Sequence, residues 1–366
     1  MARYIISGGG TGGHIFPALA IADGLKQSDP NAEILFVGAS GRMEMERVPA
    51  SGYDIIGLDI MGIQRRLTLK NLKVPFKLIG SLWKASRIIK DFKPDVAIGV
   101  GGYASGPLLR MAARQGIPTV IQEQNSFPGI TNKLLAKGAQ RILVAYEGMH
   151  RFFPKERIRI TGNPVRKNVL EVAEVDRASA LAHFDLTADR PVLLIIGGSL
   201  GARSMNHAMA KHLDSITGSG VQVLWQTGKT YYERMSSSVS EVSASNTRVV
   251  QFIDRMDLAY SAADVILSRA GALSISELCV VGKPVVLVPS PNVSEDHQTK
   301  NARALVEKGA AILLPDSQVD EDLWNTLEPL FRDEIIRKDL SSAIGGMARP
   351  LATQHIVEEI MQLTDA

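Results

Sequence analysis

Only one cysteine, Cys279, occurs in the 366 residues, so the chain can form no internal disulfide and holds no partner for a cysteine-based metal site. That usage fits a reducing compartment. Long hydrophobic runs are missing too: no stretch of 18 or more apolar residues occurs, and MARYIISGGG enters a strand-like segment at once, without a basic region leading into a hydrophobic one. A spanning helix is excluded and a cytoplasmic location is expected. Acids are scarce in the first half. Residues 1–162 hold 22 Lys and Arg against 12 Asp and Glu, whereas the remainder holds 19 against 26, so the net charge of +3 conceals halves of +10 and −7. Nine of the basic residues fall between Arg65 and Lys93, where Asp91 is the only acid. A basic half of this kind calls for an anionic partner, either nucleic acid or a membrane surface.

What is present is ordinary globular composition, 45% apolar and 22% charged, in a chain longer than one hydrophobic core usually fills. Two domains are expected. Short apolar runs (YIIS, EILFVG, DIIGLDI, DVAIGV, PTVIQ, RILVAY, RIRIT) alternate with helix-length segments. The pattern restarts after Asn163 with PVLLIIGG, VQVLWQ, RVVQFI, DVILSR, PVVLVPS and AAILLP. Continuous rather than alternating apolar strands belong to parallel sheets covered on both faces, so each half reads as a doubly wound, Rossmann-like α/β domain. Asn163-Pro164 suits a linker, because proline restricts the residue before it, and GGMARP at 345–350 offers a second one. The expected division is 1–162 with a last helix at about 350–366, and 163–349, with the ligand site in the cleft between the domains.

Glycine loops follow three of the strands. Ser7-Gly8-Gly9-Gly10-Thr11-Gly12-Gly13-His14 opens a helix with apolar Ile15, Leu19 and Ala22 at helical spacing; Gly101-Gly102-Tyr103-Ala104-Ser105-Gly106-Pro107 and Gly197-Gly198-Ser199-Leu200-Gly201-Ala202 repeat the arrangement. Exposed N–H groups and a helix dipole at such turns favour a diphosphate. One loop alone could be a tight turn; three suit two diphosphates, one in each half. The first also satisfies G-x-G-x-x-G, but the acid that NAD requires after the second strand is missing, and Arg42 stands there instead. TGKT at 227–230 lacks the glycine that a P-loop needs five residues earlier. Residues 75–90 form an amphipathic helix pattern in which Leu78, Leu82, Ala85 and Ile89 make a core stripe. Phe76, Ile79 and Trp83 make a shoulder beside it, flanked by Lys84, Arg87 and Lys90, as an interfacial helix requires. A wide core face with solvated cations is the alternative.

The ordered set GGTGGH (9–14), GGYASGP (101–107), EQNSFPGITNK (123–133), TGNPVR (161–166), GGSLGA (197–202), SRAGALSISE (268–277) and DHQTKNA (296–302) resembles the motifs of the MurG transferase family over nearly the whole chain. The resemblance implies a GT-B fold, two Rossmann-like domains facing a central cleft, and an inverting N-acetylglucosaminyltransferase with neither cofactor nor metal site. It implies transfer from UDP-N-acetylglucosamine to an undecaprenyl-diphosphate-linked muramyl-peptide during wall synthesis. For the donor it implies Ser199 at a phosphate, Arg166 as a donor-site arginine, the Ile253 backbone at the uracil edge and Glu277 at the ribose hydroxyls. Ala272, Leu273, Ser274, Ile275 and Ser276 would stand beside the phosphates, and Gln298 and Asn125 would bind sugar hydroxyls. PSPNVSEDHQ, which leads into Gln298, differs in length and composition from some members. Thr11, Gly12 and Gly13 would serve donor and acceptor alike; Gly10, Gly102, Tyr103 and Ser105 would hold the acceptor diphosphate.

Inversion needs a base for the acceptor hydroxyl and positive charge for the departing diphosphate. His14 is the leading base candidate, since imidazole titrates near working pH, and Glu123 competes with it. Asp320 and Asp322 form an isolated D-x-D within DSQVDEDLW and read as a helix-start cluster. Expected partners are the donor, the lipid-linked acceptor, an anionic surface at the cytoplasmic face of the inner membrane and other wall-synthesis proteins. No nucleic-acid motif accompanies the basic half. A UDP-N-acetylglucosamine 2-epimerase, another lipid glycosyltransferase and an inert UDP-sugar-binding subunit are the alternative functions.

Overall fold

The computed structural model describes residues 1–60, 74–198, 200–241 and 246–364. The chain divides into two compact units, Met1–Pro164 with Leu351–Ala366, and Val165–Pro350.

Among its described residues the first unit holds one parallel sheet of β1 (Arg3–Gly8), β2 (Glu33–Ala39), β3 (Asp54–Leu58), β4 (Val96–Gly101), β5 (Thr119–Glu123), β6 (Arg141–Val144) and β7 (Ile158–Ile160). Their order across the sheet is β3-β2-β1-β4-β5-β6-β7. Each apolar run serves two cores at once. Tyr4 and Ile6 pack with Ile15, Leu19 and Ala22 of the Gly12–Ser28 helix on one face. Ile5 packs with Ala85, Ile89, Leu108 and Leu109 on the other. That is why the strands read as continuous hydrophobic runs rather than alternating ones. The Ala352–Met361 helix adds Ile356, Val357 and Ile360 to the first of these cores, and its Glu359 receives Arg141 and Arg159 at 3.0 and 3.5 Å.

The pattern at 75–90 forms a helix over Val74–Phe92, with one correction to the expected core stripe. Leu78 is 41% exposed, whereas Ile88, which the stripe omits, is buried with Ala85 and Ile89. The reason lies at the end of β3. Lys77 pairs with Asp59 (2.8 Å), the Ser81 hydroxyl donates to the Asp59 carbonyl (3.1 Å) and Lys84 donates to the Gly57 carbonyl (2.7 Å). The first turns therefore run past the last residues of β3, and the buried side chains of the helix begin at Ser81. Phe76, Ile79 and Trp83 are 78, 66 and 70% exposed, so the alternative of a wide core face does not hold for them.

The second unit repeats the architecture with β8 (Val192–Ile196), β9 (Gln222–Gln226), β10 (Thr247–Val250), β11 (Val265–Ser268), β12 (Val285–Leu287) and β13 (Ile312–Leu313), all parallel, in the order β10-β9-β8-β11-β12-β13. Its core contains buried Trp225, whose indole N–H donates to Asn206 (2.9 Å) while Asn206 donates onward to the Thr227 carbonyl (2.9 Å). This chain of bonds lets an asparagine lie in the core at little cost. In each sheet the strand order reverses once, between β1 and β4 and between β8 and β11, and open α/β sheets bind ligands outside the strand ends at such a point.

Candidate active site

The first reversal point carries two of the glycine loops. Gly10 leaves β1 at φ +85°, and the helix that follows starts at Gly12 with no side-chain cap from Thr11 and no acid in its first turn. Its first N–H groups thus keep their positive end for an anion or water. The loop after β4 lies against the first one: a Cβ on Gly102, at φ +89°, would stand 2.5 Å from the Gly9 carbonyl oxygen. Only glycine fits there. Ser105 is buried and donates to the Gly102 carbonyl (2.8 Å), closing the second loop, while Tyr103 is 55% exposed at its tip.

His14 is placed by both loops. Its Nδ1 lies 3.0 Å from the Gly9 carbonyl and 3.4 Å from the Thr11 hydroxyl, and its ring covers Gly101, where a Cβ would come within 2.8 Å of Nε2. A carbonyl oxygen only accepts, so Nδ1 carries a proton and the lone pair of the neutral ring belongs to Nε2. Glu123, the competing base, is 2% exposed and its carboxylate is heavily engaged. It accepts the Asn125 N–H (3.0 Å), Asn125 Nδ2 (3.2 Å), the Gly129 N–H (3.2 Å) and Asn132 Nδ2 (2.8 Å). Asn125 is thereby oriented by Glu123. Behind them Gln122, Gln124 and Asn163 form a buried amide network in which Asn163 donates to the Gln124 carbonyl (3.0 Å) and Gln124 to that of Val100 (2.9 Å).

A residue that the sequence reading passed over completes the first loop. Glu44, fully buried at the start of the Glu44–Ala50 helix, turns its carboxylate under the loop and accepts the N–H groups of Gly10 (2.9 Å) and Ala39 (3.0 Å). It fills the region after β2 where a nucleotide-binding acid would be sought, yet it faces the loop rather than a ribose. In sequence it is indistinguishable from a first-turn helix acid. Arg42 beside it is exposed.

The second reversal point carries the third glycine loop. Ser199 lies outside the described residues. Gly201, at φ +82°, has no room for a side chain, because a Cβ would meet the Thr227 carbonyl oxygen at 2.1 Å. Opposite, beyond β11, Gly271 precedes the Ala272–Val281 helix, whose opening turns hold Ala272, Leu273, Ser274, Ile275 and Ser276. One turn further, Glu277 is buried and paired with Arg166 through two bonds, Nε to Oε1 at 2.6 Å and Nη2 to Oε2 at 2.8 Å. Tyr260 donates to the same Oε2 (3.3 Å). Burial, reinforced by the Glu277 charge, pushes the Tyr260 hydroxyl well above its ordinary range, and the Glu277 hydrogen bond raises Arg166 further. The Ile253 N–H donates to Gln226 (2.9 Å). Gln298 accepts the Ser290 N–H (2.8 Å), so its amide orientation is set.

Arg269, within SRAG, is a further residue without an assigned part in the sequence reading. Its guanidinium bonds the Val288 carbonyl (3.1 Å), the Pro289 carbonyl (3.2 Å), Ser204 (2.9 Å) and Asp316, tying the ends of β11 and β12 to the Arg203–Gly218 helix. Arg269, Ser204 and Asp316 line a cavity of about 400 Å³ with Arg203, His207 and Asn292. Asp320 is held by His207 (2.7 Å) and Lys211 (3.1 Å), in the first turn of the Val319–Arg332 helix with Asp322. Among the described residues no three His, Cys, Asp or Glu side chains converge as a metal site.

Residues 4–144 match the N-terminal domain of glycosyltransferase family 28 and residues 192–354 match its C-terminal domain. The chain is 52% identical over its full length to the UDP-N-acetylglucosamine--N-acetylmuramyl-(pentapeptide) pyrophosphoryl-undecaprenol N-acetylglucosamine transferase of Flavobacterium psychrophilum, covering 98% of that protein. It is 54% identical to the Parabacteroides distasonis protein of the same name, over 99% of this chain and 98% of the other. Among solved structures, the crystal structure of Acinetobacter baumannii MurG superposes with a TM-score of 0.82 at 30% identity, over 99% of this chain and 100% of that one. The UDP-GlcNAc 2-epimerase from Neisseria meningitidis reaches 0.66 at 13% identity, over 99% of this chain and 100% of that one, a likeness of fold alone.

Proposed function

The chain belongs to the MurG family within glycosyltransferase family 28, and from that premise we propose how its two glycine-loop sites share the reaction. The activity is transfer of N-acetylglucosamine from UDP-N-acetylglucosamine to the undecaprenyl-diphosphate-linked muramyl-pentapeptide, the lipid I to lipid II step of peptidoglycan synthesis. The second unit takes the donor. Its uracil meets the Ile253 carbonyl, its ribose hydroxyls reach Glu277, and its diphosphate lies at the Ala272 helix start and the third glycine loop with Ser199. A carboxylate keeps lone pairs after a bidentate arginine has bound, so the Arg166 clamp can hold Glu277 in place while the ribose bonds to it. Gln298 and Asn125 serve the sugar hydroxyls. The first unit takes the acceptor diphosphate at Thr11, Gly12 and Gly13 and at the Gly102-to-Ser105 loop.

In the transfer step the C4 hydroxyl of the acceptor attacks the anomeric carbon of the donor. The bond from that carbon to the diphosphate oxygen breaks with its electron pair, and configuration inverts. His14 accepts the hydroxyl proton at Nε2. What supports His14 as the base is its contact with Gly9, in which Nδ1–H is directed at the carbonyl and the basic lone pair falls on Nε2; Glu123 accepts four donors that tie it to its own loop. Glu123 instead holds Asn125 and the 124–129 loop. The protein docks on the cytoplasmic face of the inner membrane through Phe76, Ile79 and Trp83, helped by neighbouring cations such as Arg87.

The observation that carries this division is the occurrence of one glycine-loop reversal point in each unit, each opening onto a helix start without a side-chain cap. It is tested by a pair of variants. Glu277→Ala raises KM for UDP-N-acetylglucosamine at least about tenfold, since a hydrogen bond to a charged group is worth about 1.5–3 kcal/mol, and leaves acceptor KM unchanged. Gly102→Ala raises acceptor KM and leaves donor KM unchanged. An effect of both variants on the same substrate contradicts the division.

A further inference from the structure

The Gly10 N–H and the Gly9 carbonyl belong to the same peptide group. Glu44 grips that peptide by its N–H at 2.9 Å, and His14 Nδ1 meets its carbonyl at 3.0 Å. The geometry points to Glu44 as a positioning residue that acts on His14 through this one peptide, fixing the proton on Nδ1 and the direction of Nε2.

Three observations carry the inference. First, the Glu44 carboxylate is fully buried yet, among the described residues, has no cation in ion-pair distance, so its negative charge is answered by the two N–H groups it accepts. Such bonds to a charged acceptor are stronger than neutral ones and polarise the peptide, making its carbonyl a better acceptor for Nδ1–H. Second, the fit leaves no slack. A Cβ on Gly9 would stand 2.1 Å from Glu44 Oε1, and one on Gly38 would stand 2.6 Å from Glu44 Cγ, so both glycines are cut to the carboxylate and its stem. Third, the ring has little freedom to turn, since it lies against Gly101 as well. Among the titratable groups of the first unit are Glu44 behind the first loop, Tyr103 in the loop after β4 and Glu123 at the end of β5. Glu44 is the one bonded to the loop peptide on which the imidazole rests.

The inference rests on reading His14 as the base, and the test separates the two. Nitrogen NMR of the full-length protein labelled in histidine reports the tautomer directly. The wild type shows a protonated Nδ1 and an unprotonated Nε2 for the neutral ring. Glu44→Gln turns an amide N–H toward one of the two backbone donors, and Gly9→Ala pushes the carboxylate away while leaving it charged. Both shift the His14 signals toward the Nε2-protonated form that dominates in water, and both lower kcat at least about tenfold with KM for UDP-N-acetylglucosamine unchanged. That constant also reports that the protein is folded. Unchanged nitrogen shifts in both folded variants overturn the role of Glu44, whatever their activity. Shifted signals with undiminished kcat leave Glu44 as the residue that sets the tautomer and overturn His14 as the base. Loss of donor binding in both variants overturns the inference by making Glu44 a general support of the fold.

Discussion

At the scale of single residues, two candidates compete for the acceptor proton. His14→Ala should lower turnover by about 100-fold or more, the usual worth of a general base, while donor KM stays near its wild-type value. Glu123→Gln should also lower activity, but through the loop it holds: one amide N–H would face the Asn125 or Gly129 donors, and thermal stability should fall together with affinity for the sugar. Steady-state kinetics and a melting curve for the two variants check this. Normal turnover in His14→Ala, with abolished turnover in a stable Glu123→Gln, would exchange their roles. The sequence made both residues visible as members of motifs, because residue type and motif position are local properties. It did not show that Glu123 is saturated by donors, nor that Arg166 and Glu277 pair across 111 positions, since such pairings are made by the fold. Glu44 was invisible for the same reason. Nothing in RMEMERVP tells that its carboxylate turns inward beneath a loop 34 residues earlier.

At the scale of elements, the Val74–Phe92 helix shows how far periodicity reaches. A helical pattern with an apolar shoulder was legible, and so were the two doubly wound sheets, because continuous apolar runs report burial on both strand faces. The position of the core stripe was not legible at Leu78. Whether a leucine at helical spacing is covered depends on where the neighbouring strand ends, and β3 stops at Leu58. The exposed Phe76, Ile79 and Trp83 then make a specific prediction. Replacing all three by Ser should reduce cosedimentation with anionic vesicles and activity on long-chain acceptor, while sparing activity on a water-soluble short-chain acceptor and leaving the melting temperature unchanged. Attraction to anionic lipid is worth about 1 kcal/mol per basic residue near the surface, so added salt should weaken the wild-type binding as well. Equal loss on both acceptors would remove the helix from membrane docking.

At the scale of the whole molecule, the charge division follows the proposed division of labour. On that proposal the basic first half would face a diphosphate carried on an anionic surface, and the acidic second half would surround a donor site whose positive charge is local, from Arg166 and a helix start. With the departing diphosphate met by these groups, EDTA should leave most of the activity in place. Complete loss on chelation, restored by Mg²⁺ or Mn²⁺, would contradict that part of the mechanism. The transfer itself can be measured directly. Purified protein is incubated with radiolabelled UDP-N-acetylglucosamine and an undecaprenyl-diphosphate-linked muramyl-pentapeptide, and the lipid is extracted into butanol. Label is expected in the butanol phase as a disaccharide-bearing lipid, with stoichiometric release of UDP and dependence on the acceptor. Label that stays in the aqueous phase, as free UDP-N-acetylmannosamine or as unchanged donor, would contradict it.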